Sequence, residues 1–202
     1  MDPHAWTGDE RRLLTTLKTP ALIQHWLDEE VRYDGGVHCL SPRRLMRERK
    51  GHCMEGALFA AAALRFHGQP PLLTDLGAVR DDDHVLALYR HGRYWGAIAK
   101  SNYASLRFRE PVYRSLRELV MSYFEHYHNL EGEKTLRRYS SPMNLKRFDA
   151  LHWMTSEEEV WEIPSAMGSL RFFSILPPGM ARRLNLVDDR LRKAEKVGRV
   201  AD

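Results

Sequence analysis

The chain has 202 residues, a size that suits one sizeable core and not two separate ones. Its apolar share of 43% and charged share of 29% are ordinary for a folded protein and exclude the low-hydrophobicity, high-charge composition of a disordered chain. The net charge of +4 comes from 31 basic and 27 acidic residues spread along the sequence, so neither a nucleic acid nor a membrane surface is expected as partner.

Taken in chain order, residues 9 to 33 carry Leu13, Leu14, Leu17, Leu22, Ile23, Trp26 and Leu27 around a Thr19-Pro20 break, which predicts two short amphipathic helices. Asp34-Gly35-Gly36 is a turn signal. Ser41-Pro42 reads as an N-cap with proline at the first helical position, opening a basic helix through Lys50. Residues 51 to 68, GHCMEGALFAAAALRFHG, form the best-defined element, an Ala- and Leu-rich helix bounded by glycines and apolar nearly all round. Such a helix belongs in the middle of a fold.

LLTDLGAV follows as a strand, then the acidic turn Arg80-Asp81-Asp82-Asp83. HVLALYRHGRYWGAIA then reads as two strands joined near His91-Gly92. Val112 to Asn129 places Leu116, Leu119, Val120, Tyr123, Phe124 and Tyr127 near a 3.6 period and predicts a helix. Ser156 with Glu159 three positions later reads as a capping box, WEIPSAMGSLRFFSIL as a pair of short strands, and 182–202 as an exposed charged C-terminal helix. The longest strongly apolar run, ALFAAAAL, is far below the ~20 residues that span a bilayer. The N-terminal residues MDPHAWTGDERR lack the basic-then-apolar order of a secretory signal. With two cysteines, too few for a disulfide framework, a cytoplasmic location is expected.

A thiol opening a helix sits against unpaired backbone N–H groups and the positive end of the dipole, which favours thiolate at Cys53. A neutral thiol needs a base within reach, and His84, opening a strand after the acidic turn, is the candidate. A third group must orient the imidazole; Asn102, just past the return strand, is the candidate, with Ser101 and Asp83 as lesser options. His52 is adjacent to Cys53, and neighbouring helical side chains point about 100° apart, so it is not taken as the base. Glu55 reads as a first-turn charge. His38-Cys39, His52-Cys53, His126 and His128 lack the short paired spacing of a structural zinc motif, and no metal or cofactor is implied.

The run Gly51-His52-Cys53-Met54-Glu55-Gly56-Ala57, an Ala-rich helix ending RFHGQPP, a strand, and then Asp83-His84 leading into a hairpin containing Trp95 resembles the transglutaminase-like core, related to papain-like cysteine proteases. The resemblance covers about residues 45–103. It implies an α+β fold: a buried Cys-bearing helix packed on an antiparallel sheet, extra helices at both ends, and one domain over 1–202. That family usually has Asp a few residues after the strand Trp, where this chain has Ala99 and Lys100; Asn102 would be the papain-like variant. The implied function is a cysteine hydrolase or acyltransferase acting on an amide through a thioester, with Cys53, His84 and Asn102 catalytic and a peptide or other amide-bearing substrate. The alternative is a non-catalytic member of the same fold that binds a protein partner.

Overall fold

A computed structural model describes residues 4–199. Expectations that fall on residues 1–3 and 200–202, the two ends of the N-terminal and C-terminal readings, lie outside the described residues. The first helices are α1 (Gly8–Thr16) and α2 (Pro20–Glu30), separated where Thr19 caps α2 ahead of Pro20. A short strand β1 (Arg32–Tyr33) pairs in parallel with β2 (Lys50–Gly51) across α3 (Pro42–Glu48). Ser41 caps α3, and Arg49 stops it in the left-handed region with φ 54, slightly short of the predicted end.

Helix α4 (Cys53–Phe66) is the centre of the molecule. Ala57 through Leu64 are all buried, and the small alanine side chains let neighbours approach from every side. Gly68, at φ +84, ends the turn beyond it in a conformation that a side chain would strain.

The sheet is built from β3 (Leu72–Ala78), β4 (His84–His91), β5 (Tyr94–Ile98) and β6 (Arg109–Tyr113), then, beyond helix α5 (Leu116–Met121), β7 (Leu136–Ser140), β8 (Met143–Asn144) and, after α6 (Glu162–Met167), β9 (Phe172–Ser174). Its order is β6-β5-β4-β3-β7-β9, with β8 also on β3, and every pair is antiparallel. Helix α7 (Asp189–Glu195) follows last. The fold is therefore mixed helix and strand, with an antiparallel sheet and a buried helix packed against it.

Strand β4 is buried on both faces, which explains its unbroken apolar run. Val85, Ala87 and Tyr89 join the α4 core, whereas Leu86 and Leu88 join a second core with Leu119, Val120, Tyr123 and Phe124 on the opposite face.

Three predicted elements differ. The helix over 112–129 is only Leu116–Met121, followed by a 3-10 turn at Phe124–His126, and Val112 lies in β6. The guanidinium of Arg109 explains the stop, because it donates to the backbone oxygen and hydroxyl of Ser122 at 3.2 and 2.9 Å, taking up the acceptor that a further turn would use. Ser156 accepts from the N–H of Glu158 in a tight turn and opens no helix. The first of the two strands expected in WEIPSAMGSLRFFSIL is α6; only the second, β9, forms. Among its described residues the C-terminal segment is mostly exposed, with one buried anchor. Glu195 is buried and accepts from the N–H of Ser105 at 3.1 Å and from His126 Nδ1 at 2.9 Å, docking α7 on the turn after β5.

Candidate active site

Cys53 is the first residue of α4, and its sulfur sits where the helix meets the start of β4. The helix start is held by a reciprocal cap. His52 Nδ1 accepts from the N–H of Met54 at 3.3 Å, and Glu55 reaches back to the N–H of His52 at 3.0 Å. Glu55 does more than face the dipole. Completely buried, it also accepts from the N–H of Leu40 at 3.2 Å and from His38 Nδ1 at 3.0 Å, so it ties the 34–40 loop to the helix.

Gly56 lets the helix start lie against the segment after β5; a Cβ there would come within 2.4 Å of Lys100 Cβ. That segment is fixed from behind. Gln24 donates to the carbonyl of Ala99 at 3.0 Å and accepts from its N–H at 3.1 Å, and Lys100 Nζ donates to the carbonyl of Leu27 at 2.7 Å. The residues standing where the family pattern would have its orienting side chain are thus part of a backbone clamp.

Cys53 and His84 line one cavity of about 420 Å³, together with the 34–39 loop, Asp81 to Asp83, Ser101, Tyr127 and His128. His84 is buried, and its Nε2 donates to the carbonyl of Leu106 at 2.8 Å. A carbonyl can only accept, so Nε2 carries the hydrogen and Nδ1 is the basic nitrogen of the neutral ring. Burial, followed by the charges of Arg109 and His52 and opposed by the Leu106 bond, pushes the imidazole down to about 4. It is unprotonated near neutrality, a weaker base than an ordinary imidazole, with its Nδ1 lone pair open as an acceptor.

The thiol departs from the sequence expectation. Desolvation pushes Cys53 up to about 12, with Glu55 and Asp75 adding in the same direction, and the N–H groups of Val85 and Met54 that approach the sulfur do not offset it. Cys53 is therefore a thiol at neutral pH and not the thiolate that its helix position suggests. Among the described residues it shares no direct hydrogen bond with His84. A ring nitrogen that does approach the sulfur is His52 Nδ1, at 3.9 Å, because as N-cap His52 has an extended backbone that turns its side chain toward the helix start.

Asn102 is not brought to His84. It lies in the wall of a second pocket with Asp28, Lys100 and Arg107. The ring-holding role in this structure belongs to the Leu106 carbonyl, in a 3-10 turn Ala104–Leu106 that Glu195 supports through Ser105. Ser101 and Asp83, the other two options, do line the cavity. Asp83 is engaged in accepting from the N–H of Ala78 at 2.7 Å.

His38, His52 and Glu55 form a group of metal-ligand type, with atoms within 4.8 Å of one another. The two rings stack at 5.2 Å with planes 17° apart, so their in-plane lone pairs run side by side and do not converge. Both oxygens of Glu55 already face N–H donors, which makes the cluster a clamp. Cys39 is buried beside it with its sulfur 3.7 Å from the carbonyl of Val160, and burial pushes that thiol up, so it is a packing residue.

Among the described residues no helix is long and apolar enough to cross a membrane. Against known proteins, the chain matches no family model, and no curated protein matches it.

Proposed function

We propose that the chain is a transglutaminase-like cysteine enzyme that acts on an amide bond by thioester acyl transfer. The observation that carries this reading is that Cys53, at a helix start, and His84, its Nε2 fixed by a backbone carbonyl and its Nδ1 basic, share one cavity. Because both groups are neutral, His84 acts as general base at the moment of attack. The S–H proton passes to Nδ1 as sulfur bonds to the carbonyl carbon, and the C–N bond then breaks as the same proton moves to the departing amine. The N–H of Cys53, which the His52 cap does not take up, offers stabilisation for the oxyanion at the start of α4. Water or a second amine resolves the thioester, and the thiol regains its proton. Apo contacts between such groups are commonly loose and tighten on the substrate, which accommodates the absent Cys53–His84 bond.

A second reading, a non-catalytic binding module of the same fold, is favoured by the elevated thiol and by the proximity of His52, not His84, to the sulfur. Acylation separates the two. Mixed with p-nitrophenyl acetate, an enzyme releases a burst of p-nitrophenolate stoichiometric with protein and carries one acetyl group on the Cys53 peptide. Cys53→Ser abolishes the burst, and His84→Ala slows it by about 100-fold or more. No burst and no acetyl group on Cys53 in a folded protein selects the binding module.

A further inference from the structure

The cavity beside Cys53 has the opposite electrostatic character to the molecule around it. The chain carries 31 lysines and arginines and a net charge of +4, yet among the described residues none of them lines the cavity. Its mouth holds Asp81, Asp82 and Asp83, none of which is in an ion pair among the described residues, and the adjacent cation, Arg80, is bound by Glu133 at 2.8 Å. A second observation points to a ligand. His128, in the same wall and only 8% exposed, donates Nδ1 to the carbonyl of Asn129 at 3.0 Å, which leaves Nε2 as a buried lone pair with no partner. His84 Nδ1 is another acceptor in the same space. The lining also holds the imidazoles of His38 and His52 and the hydroxyl of Ser101, beside the aromatic and apolar faces of Tyr33, Tyr103, Leu106, Tyr127, Trp161 and Pro164.

Lone pairs, carboxylates and aromatic faces in one lining match a long side chain with an apolar stem and a cationic, donor-only head. At about 420 Å³ the space is far larger than a bare ion needs. We propose that this cavity is the subsite for a basic side chain, so that the amide substrate is a peptide carrying arginine or lysine next to the reacting bond. The term substrate rests on the acyl-transfer reading; the preference for a basic side chain does not.

The test is equilibrium binding of Nα-acetyl-arginine methylamide and its citrulline counterpart, equal in shape but uncharged, to the full chain bearing Cys53→Ser. The arginine compound binds at least about tenfold tighter at low salt. Asp82→Lys, at an exposed position whose side chain makes no hydrogen bond among the described residues, abolishes the preference, and Asp82→Asn reduces it. Equal binding of the two compounds, no binding of either, or a preference that survives Asp82→Lys in a folded protein overturns the proposal. A retained arginine preference without acetylation of Cys53 leaves the subsite standing and removes the enzyme. Acetylation without the preference does the reverse.

Discussion

At Cys53 two influences compete, the positive end of α4 and the loss of water, and the second prevails. The dipole and a surface-level charge complement are together worth about 1 kcal/mol, whereas burial beside Glu55 and Asp75 pushes the thiol up to about 12. The same cost sets Asp75 on β3, whose Oδ1 is buried with no partner. Desolvation, then the neighbouring Asp83, pushes this carboxyl up to about 6 against the pull of Arg138. The folded chain thus holds the Asp75 proton more tightly than the unfolded one. That contribution to stability is complete below the ordinary value of 3.8 and is lost as pH rises through about 6. Asp75→Asn is therefore expected to be more stable than the parent above about pH 7, by up to about 3 kcal/mol, and equal to it below about pH 4. Urea unfolding of both proteins at the two pH values checks this; a variant less stable at both would show that the carboxylate is paired in solution. His84 has the opposite sign. Its lowered value in the folded chain makes a contribution that is full above 6.5 and lost as pH falls through about 4.

Among the elements, α4 was the most legible and the region after β5 the least. A run rich in alanine and leucine between glycines packs as a helix covered on all sides, and the hairpin of β4 and β5 follows from two apolar runs flanking the turn at Gly92. The 112–129 segment shows the limit of periodicity. Its apolar residues do pack together, on the sheet face away from α4, but a six-residue helix and a 3-10 turn present them as well as one long helix would. What decides is an arginine from a neighbouring strand, which no local pattern reveals. Glycine 56 was visible as a helix residue but not as a contact. Gly56→Ala is expected to cost about 1–3 kcal/mol, through overpacking against Lys100, where an exposed helix glycine would gain from the same change. Thermal unfolding measures it, and a stabilised variant would mean that α4 and the Lys100 segment stand further apart than described.

For the molecule as a whole, the sequence marked the two side chains of the candidate site but not what holds them. Cys53 and His84 stood at element boundaries, and both reach one cavity. The group fixing the imidazole is a main-chain carbonyl at Leu106, which has no side-chain signature, whereas a sequence offers only side chains such as Asn102 for that place. Likewise, evenly scattered charges along the chain concealed a cavity that no lysine or arginine lines among the described residues, because charge segregation is a property of folding in three dimensions. The pH dependence of Cys53 modification by iodoacetamide, compared between the parent protein and His84→Ala, tests the central pairing most directly. If His84 is the base for a neutral thiol, the parent rate forms a plateau from above about pH 4 to well past neutrality, and His84→Ala lowers it by about 100-fold or more. A rate that climbs with pH toward 12, identical in the two proteins, would contradict the account and leave Cys53 an ordinary half-buried thiol.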